Sequence, residues 1–455
     1  MTSISNSKVL LVICIFTALA GCTSLNHSEK LDRDNTIAVP QNWENAQEYV
    51  NTALSQQLLD LVNSKELSAL VIDTIENNHD LKSTALRLEQ ASLLDAQSGR
   101  YQEPTLTSSY QVSRNKTGSI TNNQRISLDL SWELDVWGRL SDTSDSASAK
   151  AKASELDYIY AKNSLVARVI QAWLDVVYRA KIIDVENRWI ASLSKTEGIV
   201  AEQVLDGLKE QADLDTARAE TYRIRAALAS REQQQLAAIR RLNVLRGKVG
   251  QHLDFSTIDT PEIEAPPLTL PGDMLASRPD LLAAYQTVIA ADKDTSIAYK
   301  DLLPKLTLTS SVYKAGSSSN QLIDNPSLWS LVGGITAPIF NQGNLETQAK
   351  IAELKANVAF INYQKKLLNA MTEVGIALDQ EYYLNQQEQH YQDAHIYSIS
   401  SMKNYQNLYQ DGASDVLALL IAQRSIYQSK IQLIQTQQAR FSNRISLGLA
   451  LGMGI

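Results

Sequence analysis

Few side chains in this sequence belong to the types that act as nucleophiles, general bases or metal ligands. The chain has five histidines and two cysteines among 455 residues. A metal-binding pair on one helix face needs histidines four residues apart, whereas His390 and His395 are five apart. No glycine-rich phosphate loop follows a predicted strand, and the five methionines are scattered, unlike a relay for soft metal ions. We therefore expect neither an enzyme active site nor a metal or other cofactor.

One cysteine has an evident chemistry. Cys22 ends the sequence Leu-Ala-Gly-Cys directly after the apolar run 9–20, which is shorter than the roughly 20 residues that cross a bilayer and reads as a signal peptide over residues 1–21. This sequence resembles the lipobox of bacterial lipoproteins, in which the acylated cysteine becomes the new N-terminus. Thr23 after the cysteine favours the outer membrane in that sorting pattern. The alternative is an ordinary signal peptide that happens to contain a cysteine.

The overall charge excludes one class of partner. The formal net charge is −8 at pH 7. Binding nucleic acid requires lysine and arginine clustered on a basic face, because phosphates must be neutralised. We expect no nucleic-acid partner.

The two halves of the chain share one pattern. A shift of 200 residues aligns Pro104 with Pro304, and a shift of 205 aligns Gly207 with Gly412. Each half reads as helix, β-hairpin and long helices. We predict an internal repeat with the following division: signal peptide 1–21, lipid-anchored N-terminal segment 22–65, first repeat 66–250, linker 251–272 and second repeat 273–455.

Each half contains a predicted β-hairpin, over residues 104–136 and 304–340. Apolar and polar side chains alternate strictly over 125–136, with a turn at 115–123 and a longer loop at 315–327 in the second hairpin. The strands have the length of tilted transmembrane strands, and aromatic residues recur among them. A soluble sandwich is the alternative. Because about eight strands are the fewest that close a barrel, four strands require several chains to share one.

Long helices are predicted after each hairpin. Residues 105–260 and 339–455 contain no proline, and 140–197 contain neither glycine nor proline. A helix of that length extends about 87 Å. A stripe of apolar residues at three and four spacing must pack on neighbouring helices: Leu165, Val166, Val169, Ile170, Trp173, Leu174 and Val177.

Four stretches of sequence together resemble one known family. They are Trp-Glu-Leu-Asp-Val-Trp-Gly-Arg at 132–139, Arg-Pro-Asp-Leu at 278–281, Ala-Pro-Ile-Phe-Asn-Gln-Gly at 337–343, and Asp-Gly at 411–412 followed by Ala-Gln-Arg at 422–424. These stretches, in this order and spacing, are similar to the TolC/OprM-type outer-membrane efflux proteins. The resemblance covers essentially the whole chain after the signal peptide.

The resemblance implies an α+β membrane protein and a homotrimer. Each protomer would give four strands to one 12-stranded outer-membrane β-barrel, continuous with a long periplasmic α-helical barrel. Such proteins are the exit channels of tripartite efflux systems, and they conduct drugs or other small toxic solutes passively from the periplasm to the exterior. The implied partners are a periplasmic adaptor protein, an inner-membrane RND-type transporter and outer-membrane lipid.

The resemblance also implies a gate near the two glycines. Asp213 and Tyr409 occupy the positions of an aspartate and tyrosine that hydrogen-bond in some relatives, and Asp415 and Leu417 would line the constriction. The alternative for both aspartates is solvated helix surface. Ile421 and Ser414 depart from the family, since many relatives have an acidic residue and some an arginine at these positions.

The polar face of the first hairpin predicts the barrel lining. If the apolar face meets lipid, Asp129, Glu133 and Asp135 turn toward the lumen, where they would favour cations. The alternative is local pairing with Arg125 or Arg139. For the whole protein the competing function is a lipid-anchored coiled-coil spacer of the cell envelope, which accounts for the helices but not for the repeated strands.

Overall fold

The structure is a computed structural model that describes residues 37–43, 57–62, 64–250, 264–268 and 271–455. The predicted signal peptide, Cys22, most of the predicted N-terminal segment and most of the predicted linker lie outside the described residues. The described part is mostly helical and contains one four-stranded sheet.

Helices and strands follow one another in the order that the sequence predicts for each half. The elements are α1 (Lys65–Asn77), α2 (His79–Gly99), β1 (Thr105–Thr117), β2 (Ser119–Leu134), α3 (Arg139–Leu205), α4 (Gln211–Leu245), α5 (Pro271–Ser277), α6 (Pro279–Lys300), β3 (Lys305–Gly316), α7 (Ser319–Asp324), β4 (Leu328–Thr336), α8 (Gln342–Gln410) and α9 (Val416–Ala450). Short 3₁₀ turns lie at Leu58–Leu61 and Arg100–Gln102.

The long helix after the first hairpin extends beyond its predicted bounds of 140–197. It is α3, with 67 residues, and α8 has 69 within the proline-free range 339–455. Neither contains proline, so no residue removes a backbone donor or clashes with the preceding turn. Shorter helices begin at polar caps: the Ser64 hydroxyl accepts from Leu67 N at 3.2 Å, and the Asn78 side chain accepts from Leu81 N at 2.9 Å.

The chain divides into two compact units. The first comprises residues 1–38, 101–146 and 288–364, of which the structure describes all from 37 onward, and it contains the sheet. Its strands are antiparallel in the order β1-β2-β3-β4, with Leu106 opposite Leu130 and Leu130 opposite Ser310. The described residues within 39–100, 147–287 and 365–455 form the second unit.

Three corrections apply to the predicted hairpins. The turn predicted at 115–123 is wrong, because the backbone ladder continues to Thr117 opposite Ser119 and only Gly118, at φ +90°, separates the strands. Polar side chains do not prevent this pairing, since the ladder bonds join backbone atoms. The loop predicted at 315–327 contains α7, and β4 ends before Pro338, which lacks a backbone donor.

The second unit has an apolar core along the long helices. All seven residues of the predicted stripe from Leu165 to Val177 lie in one buried cluster, which confirms the prediction that this face packs on neighbouring helices. The cluster also contains Leu242 of α4 and Ile445 of α9. A second cluster lies around Trp189 and Leu214 and contains Tyr409 and Val416.

A matched pair of glycines tests how this unit is packed. Gly247 and Gly207 both follow long helices with φ near +70° (66° and 70°), a backbone that costs an L-residue about 1–2 kcal/mol. A Cβ at Gly247 would lie 2.6 Å from the backbone oxygen of Asn77, whereas a Cβ at Gly207 meets nothing within 4 Å. We expect Gly247→Ala to lower the thermal unfolding midpoint clearly more than Gly207→Ala does. Equal midpoints for the two variants would contradict the close approach of α1 to this turn.

Candidate functional site

The sheet separates an apolar face from a polar one. On one face, Tyr110, Ile126 and Leu128 are 60%, 46% and 51% exposed in the single chain. On the other face Asp129 lies opposite Thr107 and Ser311, and its carboxylate accepts hydrogen bonds from Ser311 Oγ at 2.5 Å and Ser127 Oγ at 2.7 Å. Apolar side chains on an exposed sheet face indicate a surface that is covered by something other than water.

The end of β2 is fixed to the start of α3 by two carboxylates. Glu133 accepts from Arg139 Nη2 at 2.8 Å, and both side chains are less than a third exposed. Asp135 follows the strand, and its two carboxylate oxygens accept from the backbone nitrogens of Leu140 and Ser141 at 2.9 and 2.8 Å. An anion at a helix N-terminus satisfies free backbone donors and opposes the positive end of the helix dipole.

Each of the three acids that the sequence predicts for the barrel lumen has a defined set of contacts in the structure. Glu133 forms the local ion pair with Arg139 that the alternative interpretation describes. Asp135 acts as a helix cap, while Asp129 stands within the strand and is held by hydroxyl groups. Arg125 instead lies over the ring of Tyr313, 3.7 Å from its centroid. The lumen assignment of these residues stays a prediction.

A polar clamp joins the start of α3 to the end of α6 within the sheet unit. The buried Asp142 carboxylate accepts from Lys293 Nζ at 3.0 Å, from Ser296 Oγ at 2.6 Å and from Lys300 Nζ. Burial by itself would raise the pKa of Asp142, but the hydrogen bonds from Lys300, Ser296 and Lys293 outweigh it and hold the pKa below the usual 3.8. The clamp therefore favours the ionised carboxylate.

The second group of predicted site residues lies around the turns between the long helices, in the other unit. The α3–α4 turn has Leu208 N donating to Gln203 O at 2.8 Å and Gly207 N to Val204 O at 3.1 Å. In the α8–α9 turn, Ala413 N donates to Leu408 O and Gly412 N to Tyr409 O at the same two distances. These pairs of bonds form the same glycine-terminated helix end at both places.

The predicted hydrogen bond between Tyr409 and Asp213 is wrong for this chain. Tyr409 Oη donates to Gln203 Oε1 at 2.6 Å. The Asp213 carboxylate accepts from the backbone nitrogen of Glu210 at 3.4 Å in a capping box that begins α4. Burial raises the pKa of Tyr409, and the negative charge of Asp213 raises it further.

The other two predicted gate residues stand at the start of α9. Asp415 is its N-cap, and the carboxylate accepts from Ala418 N at 2.8 Å. Leu417 is 54% exposed, whereas its neighbour Val416 is buried in the cluster with Tyr409. The gate role of Asp213, Tyr409, Asp415 and Leu417 stays a prediction.

Residues that hold the long helices together were missed by sequence analysis. Gln423 Nε2 donates to Thr196 Oγ1 at 2.7 Å, and Arg424 donates from two nitrogens to Glu220 at 3.0 and 3.2 Å. Both belong to the Ala-Gln-Arg stretch at 422–424, which the sequence marks only as part of the family resemblance. Their partners are more than 200 positions away, so spacing along the chain carries no signal for them.

Within the described ranges, no three or more histidine, cysteine, aspartate or glutamate side chains are grouped as a metal ion would require. None of the described helices has both the length and the apolar character to cross a membrane.

Solved structures with the same fold are outer-membrane channels. The Campylobacter jejuni CmeC outer membrane channel superimposes with a TM-score of 0.86 over 92% of this chain and 94% of that one, at 21% identity. The open state of the Neisseria gonorrhoeae MtrE outer membrane channel gives a TM-score of 0.80 over 92% of this chain and 98% of that one, at 22% identity. The fold is therefore that of an outer-membrane channel.

Sequence comparison gives the family. The profile of the outer membrane efflux protein family matches residues 70–248 and 270–453. The chain belongs to that family, which confirms the resemblance stated above; it is an outer-membrane efflux channel, and the family is one of transport proteins and not of enzymes. It is 28% identical to the cation efflux system protein CusC of Escherichia coli O6:H1 over 98% of both chains, and 28% identical to the pyoverdine export outer membrane protein OpmQ of Pseudomonas putida over 92% of both.

The Asp142 clamp yields a prediction on stability. Asp142→Asn removes the charge that pairs with Lys293 and Lys300, so we expect a loss of about 1–3 kcal/mol at pH 7. The matched control is Asp145→Asn, whose side chain is 51% exposed and contacts only Lys293 among the clamp residues, with an expected loss below about 1 kcal/mol.

The pH dependence of the clamp follows from the lowered pKa of Asp142. Stability from such a group is fully present above its unfolded pKa and is lost as the pH falls from about 3.8 through the lower folded value. Thermal unfolding at pH 7 and through the acid range measures both effects. Equal midpoints for Asp142→Asn and Asp145→Asn would show that the clamp contributes no stability.

Proposed function

We propose that three copies of this chain form one duct, in which each copy gives β1 to β4 to a 12-stranded barrel in the outer membrane. The observation that supports this most directly is the sheet itself, with one exposed apolar face and a polar opposite face. Strands β1 and β4 each pair on one side only among the described residues. A bilayer requires closure of such edges, since lipid offers no hydrogen-bonding partner.

The polar face would line the lumen of this barrel. Asp129 would carry a negative charge on that face in the middle of β2. Glu133 and Asp135 lie at and just after the end of the strand. An acidic lining favours cations over anions at low salt. Because Glu133 pairs with Arg139 and Asp135 caps α3, Asp129 contributes most of this preference.

The long helices would assemble into the periplasmic α-helical barrel. Helix α8 carries a stripe of apolar residues that are 46–59% exposed in the single chain: Ile351, Leu354, Val358 and Ile361. Their spacing of three and four residues puts them on one face of the helix. In the trimer this face packs on a neighbouring copy.

The internal repeat would account for the two similar halves, with residues 66–250 and 273–455 as structural repeats, 22–65 as the N-terminal segment and 251–272 as a linker. The matching hydrogen bonds at the α3–α4 and α8–α9 turns support the duplication. Residues 1–21 would be removed as a signal peptide, and acylated Cys22 would anchor the mature chain to the outer membrane.

The duct would work with a periplasmic adaptor protein and an inner-membrane RND-type transporter. Its cargo would be drugs or other small toxic solutes, selected by the transporter and conducted passively through the duct. The relatives differ in the cargo that their names state, cations for CusC and pyoverdine for OpmQ, although each is 28% identical to this chain. This spread supports a passive channel whose selectivity resides elsewhere.

Asp213, Tyr409, Asp415 and Leu417 would form the gate at the helical turns. All four lie at the first or last turn of α4, α8 or α9. Leu417 would supply an apolar collar and Asp415 an acidic ring, the means by which pores gate and select.

Planar bilayers test the channel against the competing function of a lipid-anchored spacer. We expect the purified full-length protein to raise membrane conductance in discrete steps. The reason is that a closed barrel of 12 strands encloses an aqueous passage. A protein that binds lipid vesicles but never raises conductance would support the spacer and contradict the duct.

The proposed gate yields a second prediction, at Asp213. Asp213→Ala removes the charge and the cap of α4, so we expect it to loosen the closed gate and raise the conductance of the resting channel. Asp213→Asn is the matched control, because its side-chain oxygen still accepts from Glu210 N and only the charge is lost. Single-channel recordings of both variants separate the cap from the charge. Unchanged conductance in Asp213→Ala would remove Asp213 from the gate.

A further inference from the structure

A side-chain hydrogen bond joins the last turns of the two longest helices. Tyr409 Oη, near the end of α8, donates to Gln203 Oε1, near the end of α3, at 2.6 Å. Tyr409 is only 4% exposed and lies in the apolar cluster around Trp189. A phenol buried in such surroundings requires an acceptor, because leaving its hydroxyl unpaired would cost free energy.

Both partners of this bond also hold their own turn. The backbone oxygen of Gln203 accepts from Leu208 N at 2.8 Å and from Lys209 N at 3.2 Å. The backbone oxygen of Tyr409 accepts from Gly412 N at 3.1 Å. The bond between the two side chains therefore connects the α3–α4 turn to the α8–α9 turn.

Neither of the charged groups nearby takes the place of Gln203 as the hydrogen-bond acceptor for the Tyr409 hydroxyl. The carboxylate of Asp213 caps α4 through Glu210 N. The ammonium group of Lys209 lies 5.7 Å from the centroid of the Tyr409 ring, over its face, where it cannot accept from the hydroxyl. Gln203 is the acceptor that the phenol uses.

We propose that Gln203 is a positioning residue of the gate: it holds Tyr409 and thereby couples the two helical turns, so that opening the gate requires breaking this bond. The inference rests on the proposed function. It assigns the restraint to a neutral amide on α3, at a position that the family resemblance does not point to.

The test is single-channel recording of the full-length protein with substitutions at both ends of the bond. Gln203→Met keeps the length of the side chain without its amide acceptor, and Tyr409→Phe removes only the hydroxyl. We expect each to raise the open probability of the resting channel roughly fivefold. The double variant should open no more than either single variant, because both remove the same bond.

Rescue and control variants separate positioning from general destabilisation. Gln203→Glu retains an acceptor at the same reach, and we expect it to restore the open probability of the wild type. Gln211→Met is the matched control, since Gln211 is an exposed glutamine of the same turn region whose side-chain amide donates to Asp215 on its own helix. We expect it to behave as the wild type.

Three results would overturn the inference: an unchanged open probability in Tyr409→Phe, Gln203→Glu opening as much as Gln203→Met, or effects that multiply in the double variant. If Gln203→Met does not assemble, Tyr409→Phe and Gln203→Glu still decide. An absence of conductance in the wild type would overturn the proposed function instead, and the role of the Tyr409–Gln203 bond with it.

Discussion

The constraint on which the rest of the structure depends is the pair of strand edges on β1 and β4. Each edge presents a row of backbone N–H and C=O groups with no strand partner among the described residues. In the outer membrane, hydrocarbon offers these groups nothing to bond, and each unpaired group costs several kcal/mol. In the proposed trimer, sister chains close these edges, and lipid covers the exposed apolar residues on one face of the sheet.

The helical part obeys a different rule, because water and neighbouring helices are both available to it. The apolar stripe of α3, from Leu165 to Val177, packs within the chain. Polar side chains also join the helices, as Arg424 does with Glu220 and Gln423 with Thr196. Each of these charge-assisted and neutral hydrogen bonds contributes modestly to stability. Breaking one, however, leaves a buried polar group without a partner, which costs more. The turns at Gly207 and Gly412 are thus held by specific bonds and not by apolar packing alone.

The sequence predicts the elements well where periodicity or composition decides them. Alternation over 125–136 predicts β2, and the absence of proline predicts α3 and α8, because both signals act within a few residues. The Tyr409 and Gln203 pair could not be predicted, since the residues lie 206 positions apart and any of several acceptors fits a phenol. Alternation also misplaces Asp135: it puts this residue on a strand face, whereas Asp135 follows the strand and caps α3.

The central claim is that the protein exists as a closed assembly of three chains. The most direct measurement is the mass of the detergent-solubilised particle after subtraction of bound detergent, determined by light scattering on the full-length protein. The account predicts a particle of three chains, each no heavier than the 50.4 kDa precursor apart from attached lipid. A stable particle containing one chain would contradict it.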